Sequence, residues 1–323
     1  DYPDLEIILI NDRSTDRTAE IVDCLARLDA RVRPIHIEQL PEGWLGKVHA
    51  LHQGTRASGG EWLLFTDADI HFTAQTLKKA IAYCSQHEKG FLALLPEIVG
   101  LKGPVGWAQA AFGVLLLSML NVDRIADPRS KAAMGVGAFN LVRKEHIDAK
   151  AGLEWLRMEV ADDIGLGLMI KRRGVNSDIL SGRDLVSVDW YPSLATMLDG
   201  VLQRCIIGSN YYLSLFAINC AFMLLCVLAP LGLAFALAPH SAFAWLCLGA
   251  YFVPAIVLRA GVKNIGLPQA ALWGIPIGHA IILYGMLRSL FSCMRHGGVF
   301  WRGNVYPLRQ LRALQRVKLS SFF

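Results

Sequence analysis

Hydrophobic and polar positions follow two periodicities along the first part of the chain. Short apolar runs predict buried strands, and longer stretches with apolar residues three and four positions apart predict helices. The predicted strands are Leu5–Ile10, Val32–Ile37, Trp62–Phe65 and Phe91–Pro96. The predicted helices are Ala19–Leu28, Lys47–Ala57 and one near Ala74–His87. This alternation of strand and helix predicts an α/β domain with a largely parallel sheet.

The second part of the chain is more apolar than the first. Of the 323 residues 54% are hydrophobic, and the mean hydropathy is +0.38, which is too apolar for an ordinary soluble enzyme of this length. Three long apolar stretches are candidate membrane segments: Tyr212–Ala238, Ala242–Leu258 and Leu267–Leu287. This shift predicts a globular domain over residues 1–208, followed by a region of transmembrane helices with a basic tail over residues 209–323.

The topology of this region stays open. Three full crossings would place the basic tail on the side opposite the globular domain, against the positive-inside tendency. Either the third segment is re-entrant at Gly274–Pro276, or one segment lies in the membrane interface. A fourth apolar stretch, Val105–Leu120, is short for a crossing and predicts an interfacial or core helix.

Charge and cysteine content indicate a basic segment near a membrane surface and a reducing compartment. The net charge of +5 is too mild to predict nucleic-acid binding, and basic residues near the C-terminus fit a cytoplasmic membrane surface. The seven cysteines have no paired or metal-binding spacing. The chain opens at Asp1, almost directly on a strand, so we expect further residues upstream.

The stretch Thr66–His71 directly follows the predicted strand Trp62–Phe65. If the strand continues, side-chain alternation places Asp67, Asp69 and His71 on one face. Two carboxylates and an imidazole there would suit Mg²⁺ or Mn²⁺ with positions left open for substrate phosphates. The alternative is that the aspartates only cap the following helix.

Three other polar motifs, comprising four residues, could join such a site. Asp12 follows the first strand and could accept hydrogen bonds from a base or ribose. Lys47 begins a helix just after a glycine, where its charge could reach a diphosphate. Asp162 and Asp163 lead into another helix, where at most one of them would serve as a general base. Helix capping, or a solvated lysine, is the plain alternative for each.

Taken in order, these motifs resemble a known family. They are Asn-Asp-Arg-Ser-Thr-Asp at 11–16, Gly-Trp-Leu-Gly-Lys at 43–47, Asp-Ala-Asp at 67–69 and Asp-Asp at 162–163. The order resembles glycosyltransferase family 2, the inverting GT-A transferases. With Trp-Arg-Gly-Asn-Val-Tyr at 301–306, the second motif resembles the bacterial integral-membrane branch that includes hopene-associated and carotenoid-type glycosyltransferases.

The resemblance implies a GT-A fold, Rossmann-like with a mostly parallel sheet, and a nucleotide-sugar donor. It implies that Asp12 contacts the nucleotide base, most often uracil, and that Lys47 lies near the donor. It also implies that Asp67 faces the ribose or the metal, that Asp69 is the principal ligand of Mg²⁺ or Mn²⁺, and that His71 stands where some relatives place a third ligand.

The acceptor side of the site is implied in the same way. Asp163 would be the catalytic base. The loop Gly135–Phe139, with Gly135 and Gly137, would lie beside the sugar and the acceptor, together with Asp162. A site next to the bilayer favours a membrane lipid as acceptor and places the catalytic domain on the cytoplasmic face of a bacterial plasma membrane.

Three departures from the family pattern matter. The first strand, with its Pro-x-x-Asn-Glu type contacts, is absent, and the usual Asp-Asp-Gly-Ser reads Asn-Asp-Arg-Ser at 11–14. The Gln-x-x-Arg-Trp box of processive synthases is not met around Arg204, although Arg204 could still approach the diphosphate. The sequence thus favours a lipid glycosyltransferase over two alternatives, a processive polysaccharide synthase and a non-catalytic membrane scaffold.

Overall fold

The computed structural model describes residues 2–100, 102–148, 151–237, 241–246, 248–249, 274–301, 304–318 and 321–322. Within them the chain forms an α/β domain followed by a helical region, as predicted. The predicted membrane segment Ala242–Leu258 lies largely outside the described residues.

The four predicted strands are present within two residues of their predicted bounds, among eleven strands in the described residues. In chain order they are β1 Ile7–Asp12, β2 Val32–Ile37, β3 Trp62–Phe65, β4 His71–Phe72, β5 Phe91–Leu95, β6 Glu97–Ile98, β7 Asn140–Arg143, β8 Ser177–Ser181, β9 Val186–Val188, β10 Gly298–Trp301 and β11 Asn304–Pro307.

The predicted helices of the first domain are also present, together with two short helices that were not predicted, Lys144–Asp148 and Leu194–Asp199. They are α1 Thr18–Leu28, α2 Gly46–Ala57, α3 Thr76–Gln86, α4 Gly103–Met119, α5 Lys144–Asp148, α6 Asp162–Arg172 and α7 Leu194–Asp199. Short 3₁₀ segments occur at Val122–Arg124, Gly152–Leu156 and Leu202–Ser209. Beyond them come α8 Leu213–Leu237, α9 Ile275–His296 and α10 Leu308–Leu314. Helix α8 contains a π-helical turn at Met223–Leu228.

The strands form mixed sheets in the described residues, which confirms the predicted α/β class and adds antiparallel pairs to the predicted parallel ones. β1 and β2 pair in parallel, as do β5 and β8. In the sheet of order β3-β7-β5-β8, however, β7 runs antiparallel to both of its neighbours. β4-β9-β6 form a third sheet, and β10 and β11 form a hairpin. An antiparallel neighbour needs no helical crossover, and the chain enters β7 from a loop rather than from a helix. The alternation of strands and helices in the sequence therefore did not predict β7.

The core of the α/β domain lies between the central strands and α6. Five of its side chains are at most 2% exposed: Phe91 and Leu92 of β5, Phe139 just before β7, Leu141 of β7 and Ile170 of α6. Each such side chain contributes about 1.5–3 kcal/mol on burial. This core fixes the ends of β3 and β7 relative to the first turn of α6, and the polar motifs cluster at those ends.

Helices α8 and α9 are long and apolar enough to cross a membrane, and in the described part of the chain they are the two that meet this test. The predicted segment Leu267–Leu287 corresponds in part to α9, which begins at Ile275, just after Gly274, and carries Pro276 in its first turn. That position suits proline, because its missing N–H has no helical partner there. The predicted re-entrant geometry at this point stays a prediction.

Helix α4, the predicted interfacial or core helix, packs on α9. Gly278 lies so close to the Trp107 carbonyl that a side chain there would collide with it, and a Cβ would stand 2.9 Å from the Ala111 methyl. Small residues of this kind allow helices to approach closely. Helix α4 therefore joins the α/β domain to a candidate membrane helix.

The end of the chain returns to the α/β domain. Gln315 Nε2, just after α10, donates to the Ile207 carbonyl at 3.4 Å. The backbone N–H groups of Arg316 and Val317 donate to Glu159, just before α6. Contacts therefore cross the predicted boundary between residues 208 and 209, which itself stays a prediction.

Candidate active site

Lys47 lies at the centre of a group of carboxylates. It occupies the first turn of α2, and its Nζ atom is 2.8 Å from Asp67 Oδ1 and 3.4 Å from Asp162 Oδ2. Asp67 follows β3, whereas Asp162 is the first residue of α6. The fold thus brings three motifs that are far apart in the sequence into one cluster.

Burial and charge shift the pKa values of this cluster. Burial lowers the pKa of Lys47, but Asp162, Asp67 and Asp163 together outweigh it and raise that pKa. Burial, opposed by Lys47 and reinforced by Asp163 and Asp67, raises the pKa of Asp162 to about 6. Lys47 is therefore a permanent cation at neutral pH, and Asp162 is held ionised largely by that ammonium group.

A loop leading into β7 closes over the carboxylates. The Gly137 N–H donates to Asp163 Oδ2 at 3.2 Å, and the Gly137 carbonyl accepts from the Asp67 N–H at 3.1 Å. A Cβ on Gly137 would stand 2.9 Å from Asp67 Oδ2 and 3.6 Å from Lys47 Nζ. Gly135 lies so tightly against the Asp163 backbone that a side chain there would collide with it. The predicted loop Gly135–Phe139 therefore borders the site.

The two adjacent aspartates have different surroundings. Asp162 is 9% exposed and is bound to Lys47. Asp163 is partly exposed, with Oδ1 accepting from the Ile164 N–H at 2.8 Å and Oδ2 accepting from Gly137. Each carboxylate oxygen still has a free lone pair. Asp163 is thus the more accessible member of the pair.

Asp12 lies at the edge of the cluster, at the end of β1. Its carboxylate binds the Arg13 guanidinium at 2.8 and 3.1 Å. It also packs against Gly46, where a Cβ would collide with the carboxylate. Asp12 therefore neighbours the N-terminus of α2, one residue before Lys47.

The turn after β3 differs from the prediction. β3 ends at Phe65 and β4 begins at His71, so Asp67, Asp69 and His71 do not line one face of a continuous strand. The intervening residues include a turn in which Asp69 is exposed, and His71 is exposed opposite Ser187 of β9. The prediction that these three residues share one face of a strand is therefore wrong. The role of each residue as a metal ligand stays a prediction.

The donor set nevertheless fits a divalent cation that arrives with a diphosphate. In the described residues no group of three or more His, Cys, Asp and Glu side chains could hold a metal ion by itself. However, Mg²⁺ is commonly held by one or two carboxylates together with substrate phosphates. Asp67 is 44% exposed at its side chain and Asp69 is exposed. The three carboxylates around Lys47 also leave an excess of negative charge.

Arg204 lies in a different group of side chains. Its Nε donates to the Gly200 carbonyl at 3.2 Å, and its guanidinium lies 4.8 Å from the centroid of the Trp301 ring. Burial raises the pKa of the Tyr191 hydroxyl, and the Arg204 guanidinium partly opposes this rise. Within the described chain, these contacts connect Arg204 to the β10–β11 hairpin rather than to the Lys47 cluster.

Sequence reasoning gave no role to two buried polar residues at the site. Asn140 is 3% exposed, and its Oδ1 accepts from the Val136 N–H at 2.8 Å, which holds the loop over the carboxylates. Glu159 is 1% exposed and binds the C-terminal segment. A polar side chain heading the apolar run Leu141-Val142 was the available signal for Asn140; a lone glutamate offered none for Glu159.

The chain is similar in sequence to a known protein family and to two curated proteins. Residues 1–149 match the model of the family Glycosyl transferase family 2. The 4,4'-diaponeurosporenoate glycosyltransferase of Staphylococcus haemolyticus is 23% identical over 209 residues, covering 64% of this chain and 55% of the relative. The protein of the same name from Staphylococcus aureus is 24% identical over 189 residues, covering 58% and 49%. The chain spans about half the length of these relatives.

Solved structures with similar folds were also found. The mannosyltransferase PcManGT of Pyrobaculum calidifontis, in complex with GDP-Man and Mn²⁺, has a TM-score of 0.48 and 18% identity, covering 89% of this chain and 78% of its own. TarS of Staphylococcus aureus with UDP-GlcNAc has a TM-score of 0.39 and 15% identity, covering 92% and 85%. The similarity to glycosyl transferase family 2 covers residues 1–149, just under half of the 323-residue chain.

Proposed function

We propose that the protein transfers a sugar from a nucleotide-sugar donor to a membrane lipid, with inversion at the anomeric carbon. The observation that carries this proposal is the arrangement around Lys47. One ammonium group, two carboxylates that bind it and a third carboxylate open to substrate lie at one edge of a domain similar to glycosyl transferase family 2.

In this proposal the first turn of α2 and the residues around it bind the nucleotide-sugar donor. The N-terminus of a helix carries partial positive charge and unpaired N–H groups, which suit a phosphate. Lys47 adds a full positive charge at that position. Asp12, one strand end away, is placed to accept hydrogen bonds from the nucleoside, most often uridine in this family. That Arg204 approaches the diphosphate stays a prediction.

Asp163 is the proposed general base. It takes the proton from an acceptor hydroxyl, and the hydroxyl oxygen attacks the anomeric carbon from the face opposite the leaving group. The bond from that carbon to the diphosphate breaks, and the nucleoside diphosphate leaves with the electron pair. A positioned base contributes roughly 10²–10⁴-fold to the rate. Asp162, being buried, holds Lys47 in place instead.

Asp67 and Asp69 would hold Mg²⁺ or Mn²⁺ together with the donor phosphates. When bound, the ion would neutralise charge on the departing diphosphate. Gly137 keeps the Asp67 backbone and the Asp163 carboxylate at a fixed separation, so the two sides of the site stay aligned. His71 is a weaker candidate ligand, because it begins a strand beyond the turn.

The surface of α8 and α9 supports a membrane acceptor. Only 22% and 33% of their most apolar windows are buried, whereas the core helix of a soluble protein would be mostly covered. The large apolar side chains that remain exposed include Ile218, Phe222, Leu225, Leu233, Phe235, Ile277, Leu287 and Phe291. Apolar surface of this extent favours a lipid environment. We therefore propose that α8 and α9 lie in a membrane. The resemblance to the bacterial integral-membrane branch of the family adds that this is a bacterial plasma membrane, with residues 1–208 on the cytoplasmic face.

A path of contacts joins this membrane surface to the site. β4 follows the Asp67–Asp69 turn and pairs with β9. The residues after β9, Trp190 and Tyr191, contact α4: the Trp190 ring lies 5.9 Å from that of Phe112, and Gln109 donates to the Tyr191 carbonyl at 2.9 Å. Because α4 packs on α9, a lipid acceptor can enter beside this aromatic group. The two staphylococcal relatives are named 4,4'-diaponeurosporenoate glycosyltransferase, and an apolar, carotenoid-type acceptor supports the proposal of a lipid acceptor here.

The test uses membranes that carry the full-length protein, either native or Asp163→Asn. Labelled UDP- and GDP-sugars are supplied with Mn²⁺ or Mg²⁺, and label is measured in the organic-extractable lipid. The proposal expects metal-dependent lipid labelling that is lost in Asp163→Asn. The control Asp184→Asn should keep it, because Asp184 is exposed in a turn whose left-handed backbone (φ 62°) asparagine accommodates. Label in a long polymer would instead indicate a synthase, and nucleotide binding without transfer would indicate a scaffold.

A further inference from the structure

Glu159 is a buried carboxylate whose hydrogen bonds join two distant parts of the chain. It is 1% exposed and lies three residues before Asp162. Its Oε2 accepts from the backbone N–H groups of Arg316 at 2.7 Å and Val317 at 2.9 Å, and its Oε1 accepts from the Ala161 N–H at 3.2 Å. Removing the donors from such a buried carboxylate would lower the stability of the native state.

The Ala161 bond places Glu159 at the entry to α6. Ala161 immediately precedes the helix, and its carbonyl accepts from the Gly165 N–H at 2.8 Å. A Cβ on Gly165 would stand 3.1 Å from Glu159 Cγ and 3.5 Å from Val317 Cγ2. The first turn of α6, which carries Asp162 and Asp163, therefore lies directly against both Glu159 and the C-terminal segment.

The stretch of residues 157–161, which contains Glu159, also contacts the start of α2. The Arg157 carbonyl, two residues before Glu159, accepts from the Leu45 N–H at 2.7 Å. Leu45 immediately precedes α2 and lies two residues before Lys47. Movement of residues 157–161 would thus displace the first turns of both α2 and α6, which supply the charged cluster.

The C-terminal segment is held by side-chain contacts as well. Arg316 Nε donates to the Trp155 carbonyl at 3.1 Å, and its guanidinium lies 5.2 Å from the centroid of the Trp155 ring. The segment follows α9, the β10–β11 hairpin and α10 in the chain. A candidate membrane helix is therefore linked, through a short stretch of chain, to the entry of α6.

We infer that Glu159 is a positioning residue of the site and that residues 315–317, here named the C-terminal strap, hold it in place. The strap supplies two N–H donors that fix the carboxylate, and the carboxylate fixes the entry to α6 and hence Asp162 and Asp163. This inference rests on the proposed function for its catalytic consequence. Displacement of a reacting group by about 1 Å is enough to cost roughly 10²-fold in rate.

The test compares two substitutions at one position. Arg316→Pro removes the N–H that donates to Glu159, together with the side chain. Arg316→Ala removes the same side-chain contacts with Trp155 but keeps the N–H. The preceding residue, Gln315, has φ −59° and ψ 128°, a conformation that is compatible with a following proline. The difference between the two variants therefore reports on the backbone hydrogen bond.

Two readouts separate positioning from general destabilisation. The first is steady-state transfer in full-length protein, in which Arg316→Pro should have a kcat roughly tenfold or more below that of Arg316→Ala, with similar donor KM values. The second is amide hydrogen exchange of a peptide covering residues 159–165, which should be faster in Arg316→Pro than in Arg316→Ala. Equal kcat or equal exchange in the two variants would overturn the inference.

The exchange measurement also separates this inference from the proposed function. If the native protein transfers no sugar, the proposed function fails, but equal exchange in the two variants still overturns the strap on its own. If Arg316→Pro does not fold, Glu159→Gln is the second variant. It replaces an acceptor with an amide that cannot accept from Ala161 and the strap at once. It should lower kcat and speed the same exchange, and native values for both would contradict the positioning role.

Discussion

Lys47 Nζ lies 2.8 Å from Asp67 Oδ1, although the two residues come from a helix start and from the turn after a strand. Asp162 approaches the same ammonium at 3.4 Å. Lys47 thus acts as the internal counter-ion of the site. In the proposed reaction a donor diphosphate competes with these carboxylates for Lys47, and a divalent cation competes with Lys47 for Asp67.

Lys47→Met should destabilise the protein as well as abolish donor binding. Removing the ammonium leaves the buried Asp162 without its partner, and breaking a buried pair costs roughly 3–5 kcal/mol. The double variant Lys47→Met/Asp162→Asn should recover much of this stability without recovering donor binding. Thermal unfolding of the three proteins in detergent, with nucleotide titration of each, measures both effects. Strictly additive losses of stability would contradict the pairing.

Gly137→Ala should impair transfer while leaving the fold intact. Its Cβ would stand 2.9 Å from Asp67 Oδ2 and 3.7 Å from Asp163 Oδ2, so the loop or the carboxylates must shift. We expect kcat/KM to fall by roughly tenfold or more. The matched control is Gly208→Ala, since a Cβ at Gly208 meets no atom within 4 Å. Comparable kinetics in the two variants would show that the loop tolerates the extra methyl group.

Much of the site was predictable because it follows local rules. β2 and β3 have the predicted bounds, since Val32–Ile37 and Trp62–Phe65 are apolar runs with clear ends. Ligand-binding residues in α/β sheets gather beyond the carboxyl ends of strands. Lys47, Asp67 and Asp162 accordingly meet, with Asp12 at their edge.

The remainder depends on contacts that composition does not encode. The turn after β3 puts Asp69 outside the strand, although its sequence is compatible with a continued strand. Strand β7 is only four residues long, so its pairing direction is set by its neighbours. The partners of Glu159 are backbone N–H groups about 157 positions away, and every residue except proline carries such a group. No residue type in the C-terminal strap therefore marks it as a partner.

Glu159 should give the protein a measurable pH dependence of stability. Burial is the largest influence and raises the pKa of Glu159, outweighing its backbone hydrogen bonds. In the unfolded chain the carboxyl ionises near its ordinary pKa of roughly 4.3, while the native state retains the proton. The native state then binds more protons, so stability falls as the pH rises from that value through the raised native pKa.

Glu159→Gln removes this ionisation, so the stability difference between the native sequence and the variant should fall with rising pH across that window. Thermal unfolding of both proteins at a series of pH values measures the difference, in which the contributions of unchanged groups cancel. A difference that stays constant with pH, or that grows as the pH rises, would contradict a raised pKa.

Mn²⁺ should bind this protein weakly alone and much more tightly with a nucleoside diphosphate. The described residues hold no three-ligand group for a metal, and Asp67 is already bound to Lys47. A diphosphate supplies oxygen ligands to the metal and draws Lys47 away from Asp67. We expect at least about tenfold tighter Mn²⁺ binding with saturating UDP, since coupling between ligands is typically 5–150-fold. Calorimetric titration of Mn²⁺ with and without UDP tests this. Asp69→Asn should weaken the UDP-dependent binding, whereas the exposed-surface control Asp184→Asn should not. Equal Mn²⁺ affinity in the presence and absence of UDP would mean that the metal site is complete without the donor, contrary to the geometry of the turn after β3.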